Sequence, residues 1–365
     1  MSVSTNLAQR LRARIEHEGP ISFYEWMKAA LYDEREGYYC RADRVPQGRA
    51  GDYRTAPEVS SLFAATIADY FSKLHTDLKW PRRWTLVELG AGGGEFAHGL
   101  LSHLRAHYPE IFEATRYVID ETAQAARLRA ANHLSEFSDR LEFQRFDEID
   151  GPLDPGIIFS NELIDAFPVH RVVMRGGRLR ELCVGAGEAG FFWVECDLDP
   201  AVAEHCLRIE MQPDEGQIIE VNLDAERFIT SAAALLKRGY VVTVDYGAER
   251  EDLWGAPDRR SGTLRGYYRH QFVDDVLARP GEHDLTTTID WTQLQQAGRG
   301  AGLYTIRFDR LDQFVGPSVG DFMAQMIREK RDAVEVVRFT TSARELLLPT
   351  GLASYFQVLV QEKVV

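Results

Sequence analysis

Cysteine is scarce: four residues in 365, at Cys40, Cys183, Cys196 and Cys206. No two of them form a C-x-x-C pair, so spacing alone builds no metal-ligand cluster and suggests no disulfide framework. A reducing compartment is the expectation. Long apolar runs are also missing. Nothing approaches the roughly 18 consecutive apolar residues that mark a transmembrane helix. Positive charge is in deficit, with 42 Lys and Arg against 56 Asp and Glu, a net charge of −14. That balance disfavours nucleic-acid binding through a general basic surface and docking on an anionic membrane. No internal repeat or low-complexity tract is present. The first 19 residues lack the apolar core of a secretory signal. Leu11, Ile15, Glu16 and Glu18 read as a charged amphipathic helix rather than a transit peptide, so a cytoplasmic protein is expected.

What is present is ordinary globular material, 45% hydrophobic and 27% charged. At about 150 residues per domain the length allows about two domains. The first 75 residues read as mostly helical, and Ser22-x-x-Glu25 before an apolar run is a capping box. A long polar loop follows, and then a helix to about Leu78. From residue 84 short apolar strands alternate with helical patterns: Trp84–Leu89, Tyr117–Asp120, Leu141–Gln144, Ile157–Ser160 and Tyr240–Asp245. This alternation predicts a parallel sheet with helices on both faces. Strand-like runs between His170 and Ile219 predict an antiparallel insertion, and Tyr355–Val365 predicts a last strand returning to the main sheet. The expected division is an N-terminal helical cap over 1–80, with a lid loop at 40–58, and a core over 81–365. Insertions in that core are expected at about 170–220 and 250–300.

The sharpest feature is Glu88-Leu89-Gly90-Ala91-Gly92-Gly93-Gly94, where the first strand enters the first helix. Glycines there let the backbone turn tightly and approach a ligand. Gly90, Gly92 and Gly94 give G-x-G-x-G rather than the dinucleotide G-x-G-x-x-G. Glu88 suits the cationic amino group of an S-adenosylmethionine methionyl moiety better than a pyrophosphate. Asp120 ends the second strand, where a carboxylate can take both ribose hydroxyls. Asp147 follows the third strand, within reach of an adenine amino group or as a plain turn residue. The fourth strand runs into Asn161, Glu162 and Asp165, polar groups aimed at the same crevice. His270, His283, Asp284 and Asp290 follow the fifth strand and are further candidates for the acceptor side. No metal site is expected, although His103 and His107 lie four apart on one helix.

Taken together, Gly51-Asp52-Tyr53, Thr55-Ala56-Pro57-Glu58, Leu86-Val87-Glu88-Leu89-Gly90, Asn161-Glu162-Leu163, Pro168-Val169-His170, Asp245-Tyr246-Gly247 and Gly262-Thr263-Leu264-Arg265-Gly266 resemble the MidA-like family of S-adenosylmethionine (SAM)-dependent methyltransferases. Matching stretches span nearly the whole chain in family order. The resemblance implies an α/β fold: a class I, Rossmann-like methyltransferase sheet with an N-terminal helical cap and antiparallel insertions. It implies that Thr55, Pro57 and Glu58 line the cofactor site with Glu88, Gly90, Gly92, Gly94, Asp120, Asp147 and Asn161. Relatives often carry Pro and Arg in the glycine loop, where this chain has Ala91 and Gly93.

In-line methyl transfer from a sulfonium depends mainly on positioning. For a protein arginine acceptor, Glu162 and Asp165 would orient the guanidinium, with Tyr246 as orienter. Other readings are a small-molecule O- or N-methyltransferase of a biosynthetic pathway, or a non-catalytic assembly factor binding a partner protein. The partner expected is thus a methyl acceptor, protein or small molecule, with no nucleic acid, no membrane and a possible homodimer.

Overall fold

The buried aliphatic strands that the sequence predicts assemble as one sheet in a computed structural model, which describes residues 6–41, 61–269, 271–328, 333–348 and 355–364. The chain divides into two compact units, each described in turn. The first comprises Arg54–Leu163, Ile229–Gly247 and Gln295–Val365. Its strands are β1 (Trp84–Leu89), β2 (Thr115–Asp120), β3 (Leu141–Phe143), β4 (Gly156–Asn161), β5 (Gly239–Ala248), β6 (Tyr304–Arg310) and β7 (Phe356–Lys363). They lie in the order β6-β7-β5-β4-β1-β2-β3. β1 pairs parallel with β2 and β4, β2 with β3, and β4 with β5. β7 runs antiparallel between β5 and β6. The central strands are buried on both faces, which is why they read as unbroken apolar runs.

Helices Ser61–Asp77 and Glu95–His107 give this unit its core. Phe63, Ile67, Phe71, Phe96, Leu100 and Leu104 are all buried, and Phe96 stacks on Phe159 of β4 at 4.4 Å. A Cβ on Gly99 would stand 2.7 Å from the Ala64 methyl, so glycine permits the close approach of these two helices.

The second unit comprises Met1–Tyr53, Ile164–Phe228 and Ala248–Leu294. Arg178–Gly187 is the centre of its larger sheet, antiparallel to Ile21–Ser22, His170–Arg175 and Gly190–Cys196. Ile218–Val221 pairs with the far side of His170–Arg175. Gly176 and Gly177 both take positive φ, 56° and 73°, the conformation a two-residue hairpin requires. A smaller sheet places Arg265–Tyr268 between Gln271–Phe272 and Asp284–Thr286. Helix Phe23–Tyr32 starts as its capping box predicts, with the Glu25 N–H donating to Ser22 Oγ at 3.2 Å. It buries Phe23, Trp26, Met27 and Leu31 against Leu7, Leu11, Val169 and Leu285. No helix among the described residues is long and apolar enough to cross a membrane.

Candidate active site

The connection from β1 to helix Glu95–His107 is bent by three left-handed glycines: Gly90 at φ 70°, Gly92 at 56° and Gly94 at 84°. Other residues pay roughly 1–2 kcal/mol in that region. Side chains would also collide here. A Cβ on Gly90 would meet Leu163 Cδ1 at 3.0 Å, and one on Gly94 would meet Leu134 Cδ1 at 3.0 Å. The turn is tied to β2 on both sides. The Gly90 N–H donates to the Asp120 carbonyl at 2.9 Å. The Gly92 N–H donates to Glu121 Oε2 at 2.8 Å, while Glu121 Oε1 accepts from the Ala123 N–H at 2.8 Å.

Glu121 is a site residue that the sequence reading missed. Asp120 satisfied the expectation of an acid at the end of β2, and nothing periodic distinguishes a second acid behind it. The only available signal was the pair of consecutive acids itself. Burial pushes the Glu121 carboxyl above its ordinary range, against the pull of its two backbone donors. Asp120 is raised for the same first reason, and its Oδ2 accepts from the Phe146 N–H at 3.1 Å. Asp147 sits on a short 3-10 turn with its side chain 70% exposed, paired with Arg145 at 3.0 Å. Glu88 is buried inside β1, where the Tyr117 hydroxyl donates to its Oε2 at 2.7 Å. Burial pushes this carboxyl up to about 8, with Glu95 and Glu121 adding to the rise.

At the end of β4, Glu162 adopts a left-handed backbone, φ 49°, uncommon for a residue with a Cβ. Its N–H donates to the Val244 carbonyl at 3.0 Å, and its Oε1 accepts from Asn161 Nδ2 at 3.1 Å. Asn161 Oδ1 is buried with no hydrogen-bond partner among the described residues. Tyr246, near the end of β5, packs its ring edge-on against Phe356 at 5.6 Å. The sheet thus brings Gly90, Asp120, Asn161, Glu162 and Tyr246 to the carboxyl ends of four adjacent strands, β2-β1-β4-β5. The order reverses between β1 and β4, the crevice where open α/β sheets hold ligands.

Asp165 belongs to the other unit. It is buried in the 3-10 turn Ile164–Ala166, and its carbonyl accepts from the Thr287 N–H at 2.9 Å. Asp284 accepts from the Tyr39 hydroxyl at 2.6 Å, and Asp290 pairs with Arg250 at 2.8 Å. Thr55, Pro57, Glu58 and His270 lie outside the described residues.

This donor set fits a nucleoside bearing an amino-acid tail. The glycine turn brings the backbone close to the crevice, Asp120 offers a carboxylate to a diol, and the unpartnered Asn161 oxygen offers an acceptor.

Comparison with known proteins agrees with that chemistry. Residues 66–308 match the family described as "Putative S-adenosyl-L-methionine-dependent methyltransferase". A Drosophila melanogaster relative named protein arginine methyltransferase NDUFAF7 homolog, mitochondrial, is 26% identical over 81% of this chain and 71% of its own. The Mus musculus protein arginine methyltransferase NDUFAF7, mitochondrial, is 26% identical over 81% and 70%. A crystallised superfamily member from Burkholderia thailandensis, bound to S-adenosyl-homocysteine, superposes with a TM-score of 0.85 at 25% identity, covering 98% of this chain and 92% of that one. The cytoplasmic location expected from the sequence does not stand, because the animal relatives are named mitochondrial. That expectation rested on the absence of a recognisable leader, which is weak ground for a location.

Proposed function

Since the chain belongs to this family of SAM-dependent methyltransferases, we propose that it transfers the methyl group to a guanidinium nitrogen of a protein arginine. That the chain is a methyltransferase using SAM as donor follows from the family match and from the neighbour bound to S-adenosyl-homocysteine. The arginine acceptor is supported by the names of the relatives.

Within the site, the observation that carries this proposal is the Asn161–Glu162 pair. A carboxylate is held by a neighbouring amide, on a left-handed backbone, at the switch point beside the glycine turn. Strain of this kind persists where the surrounding structure enforces it, and it clusters at functional positions. A carboxylate pairs with a guanidinium through two parallel hydrogen bonds, which fix the plane of the acceptor.

The bound donor supplies a methyl group on a sulfonium. Asp120 takes the ribose hydroxyls, and the glycine turn accommodates the methionyl part. Glu162 orients the guanidinium and concentrates lone-pair density on the attacking nitrogen, with Tyr246 as orienter; Asp165 is assigned to the acceptor on its own account. Positioning of this sort supplies most of the rate. Asp165→Ala tests the assignment by calorimetry with S-adenosyl-homocysteine alongside a transfer assay. Retained donor binding with lost transfer is expected. Lost donor binding would move Asp165 to the cofactor side and overturn its acceptor role.

A further inference from the structure

The turn Ile164–Asp165–Ala166 has an unusual feature: each of its three successive carbonyls is held from a different part of the chain. The Ile164 carbonyl accepts from Asn222 Nδ2 at 3.3 Å. The Asp165 carbonyl accepts from the Thr287 N–H at 2.9 Å and lies 3.4 Å from the Thr287 hydroxyl. The Ala166 carbonyl accepts from the Tyr32 hydroxyl at 2.9 Å. All these residues belong to one compact unit.

Two of the donors are themselves held by further bonds. Asn222 Oδ1 caps the following helix by accepting from the Ala225 N–H at 2.9 Å, which sets the direction in which Nδ2 points. Gln293 Nε2 donates to the Asn222 carbonyl at 2.8 Å. The segment carrying Thr287 is pinned one residue on, where the Thr288 N–H donates to Thr263 Oγ1 at 3.0 Å. Thr263 is held by Glu220 Oε2, through its N–H at 2.7 Å and its hydroxyl at 3.0 Å. Arg171 locks Glu220 at 3.0 Å and also donates to the Ser261 carbonyl at 2.8 Å. A one-turn helix has too few internal bonds to fix its own orientation. Three external donors, two of them on held partners, do so.

We infer that Asn222 and Tyr32 are positioning residues for methyl transfer, acting through the backbone of the Asp165 turn. This rests on the proposal that Asp165 faces the acceptor. Small misplacements of a catalytic group are costly, since about 1 Å can lose 10²-fold in rate.

The test uses Asn222→Asp and Tyr32→Phe in the full chain. Each removes one donor, and Asn222→Asp keeps the helix-capping oxygen. Three readouts are needed: amide hydrogen exchange over 164–167, calorimetric affinity for S-adenosyl-homocysteine, and transfer from tritiated SAM to protein in a cell lysate, per donor-binding site. Faster exchange over 164–167, donor affinity within twofold of the parent, and a transfer rate reduced about tenfold or more are expected. Faster exchange with an unchanged transfer rate would make the contacts purely structural and overturn the inference. Unchanged exchange would overturn it as well. An Asp165→Asn control separates the two proposals: if that variant transfers normally, the acceptor reading itself has failed.

Discussion

Glu121 holds Gly92. One carboxylate oxygen accepts from the N–H of the central left-handed glycine at 2.8 Å, and the other accepts from the Ala123 N–H at 2.8 Å. A single side chain at the end of β2 thereby fixes both the glycine turn of β1 and the start of the next helical segment. Hydrogen bonds to a charged group contribute about 1.5–3 kcal/mol each. Glu121→Ala should therefore weaken S-adenosyl-homocysteine binding at least about tenfold, and Gln should recover part of that loss. Calorimetry on the three proteins measures it, and equal affinities would show that the turn needs no such tie.

The buried Glu88 carboxyl predicts a pH dependence of stability. Its pKa is raised from 4.5 to about 8, first by burial, so the folded state holds the proton more tightly than the unfolded state. Well below pH 4.5 both states are protonated and the group costs nothing. Between about pH 4.5 and 8 the unfolded state ionises first, and stability falls as pH rises. Relative to Glu88→Gln, the parent should lose on the order of several kcal/mol across that window. Urea unfolding of donor-free protein at a series of pH values measures the difference. Parallel curves for the two proteins would refute the assignment.

In the other unit, Arg171 and Glu220 form a buried pair, 8% and 7% exposed. Removing one member strands the other charge, a loss of about 3–5 kcal/mol for buried pairs. Glu220→Ala should lower stability by roughly that amount. A larger change than for Arg145→Ala is expected, because Arg145 is more than half exposed in its pair with Asp147. Urea titration of both variants decides the ranking.

The main sheet was legible because its central strands are buried on both faces. Trp84–Leu89 begins and ends where its apolar run does. Tyr240–Asp245 lies within a longer strand, Gly239–Ala248, whose polar end gives no apolar signal. The returning C-terminal strand was also readable, and it pairs antiparallel with β5 from Phe356 to Lys363. β6 was missed. Tyr304–Arg310 is the edge of the sheet; Tyr304, Ile306 and Phe308 alternate with Thr305, Arg307 and Asp309, a strand signal the reading passed over, and Tyr304 and Ile306 are exposed rather than buried. Helix Leu311–Arg328 was missed as well, since Pro317 inside it argues against a helix on sequence grounds. In the site, the glycine turn and the acids at strand ends were readable from spacing. The Glu121 tie and the three-way hold on the Asp165 turn were not. Both join groups far apart in the chain, or depend on which way a side chain points.

Incubation of the full chain with tritiated SAM and cell lysate, followed by acid hydrolysis of the labelled protein, tests the central claim most directly. The account predicts label recovered as methylated arginine, and its loss with Glu162→Gln while S-adenosyl-homocysteine still binds. Label confined to small molecules, or methylarginine formed at the parental rate by Glu162→Gln, would contradict it.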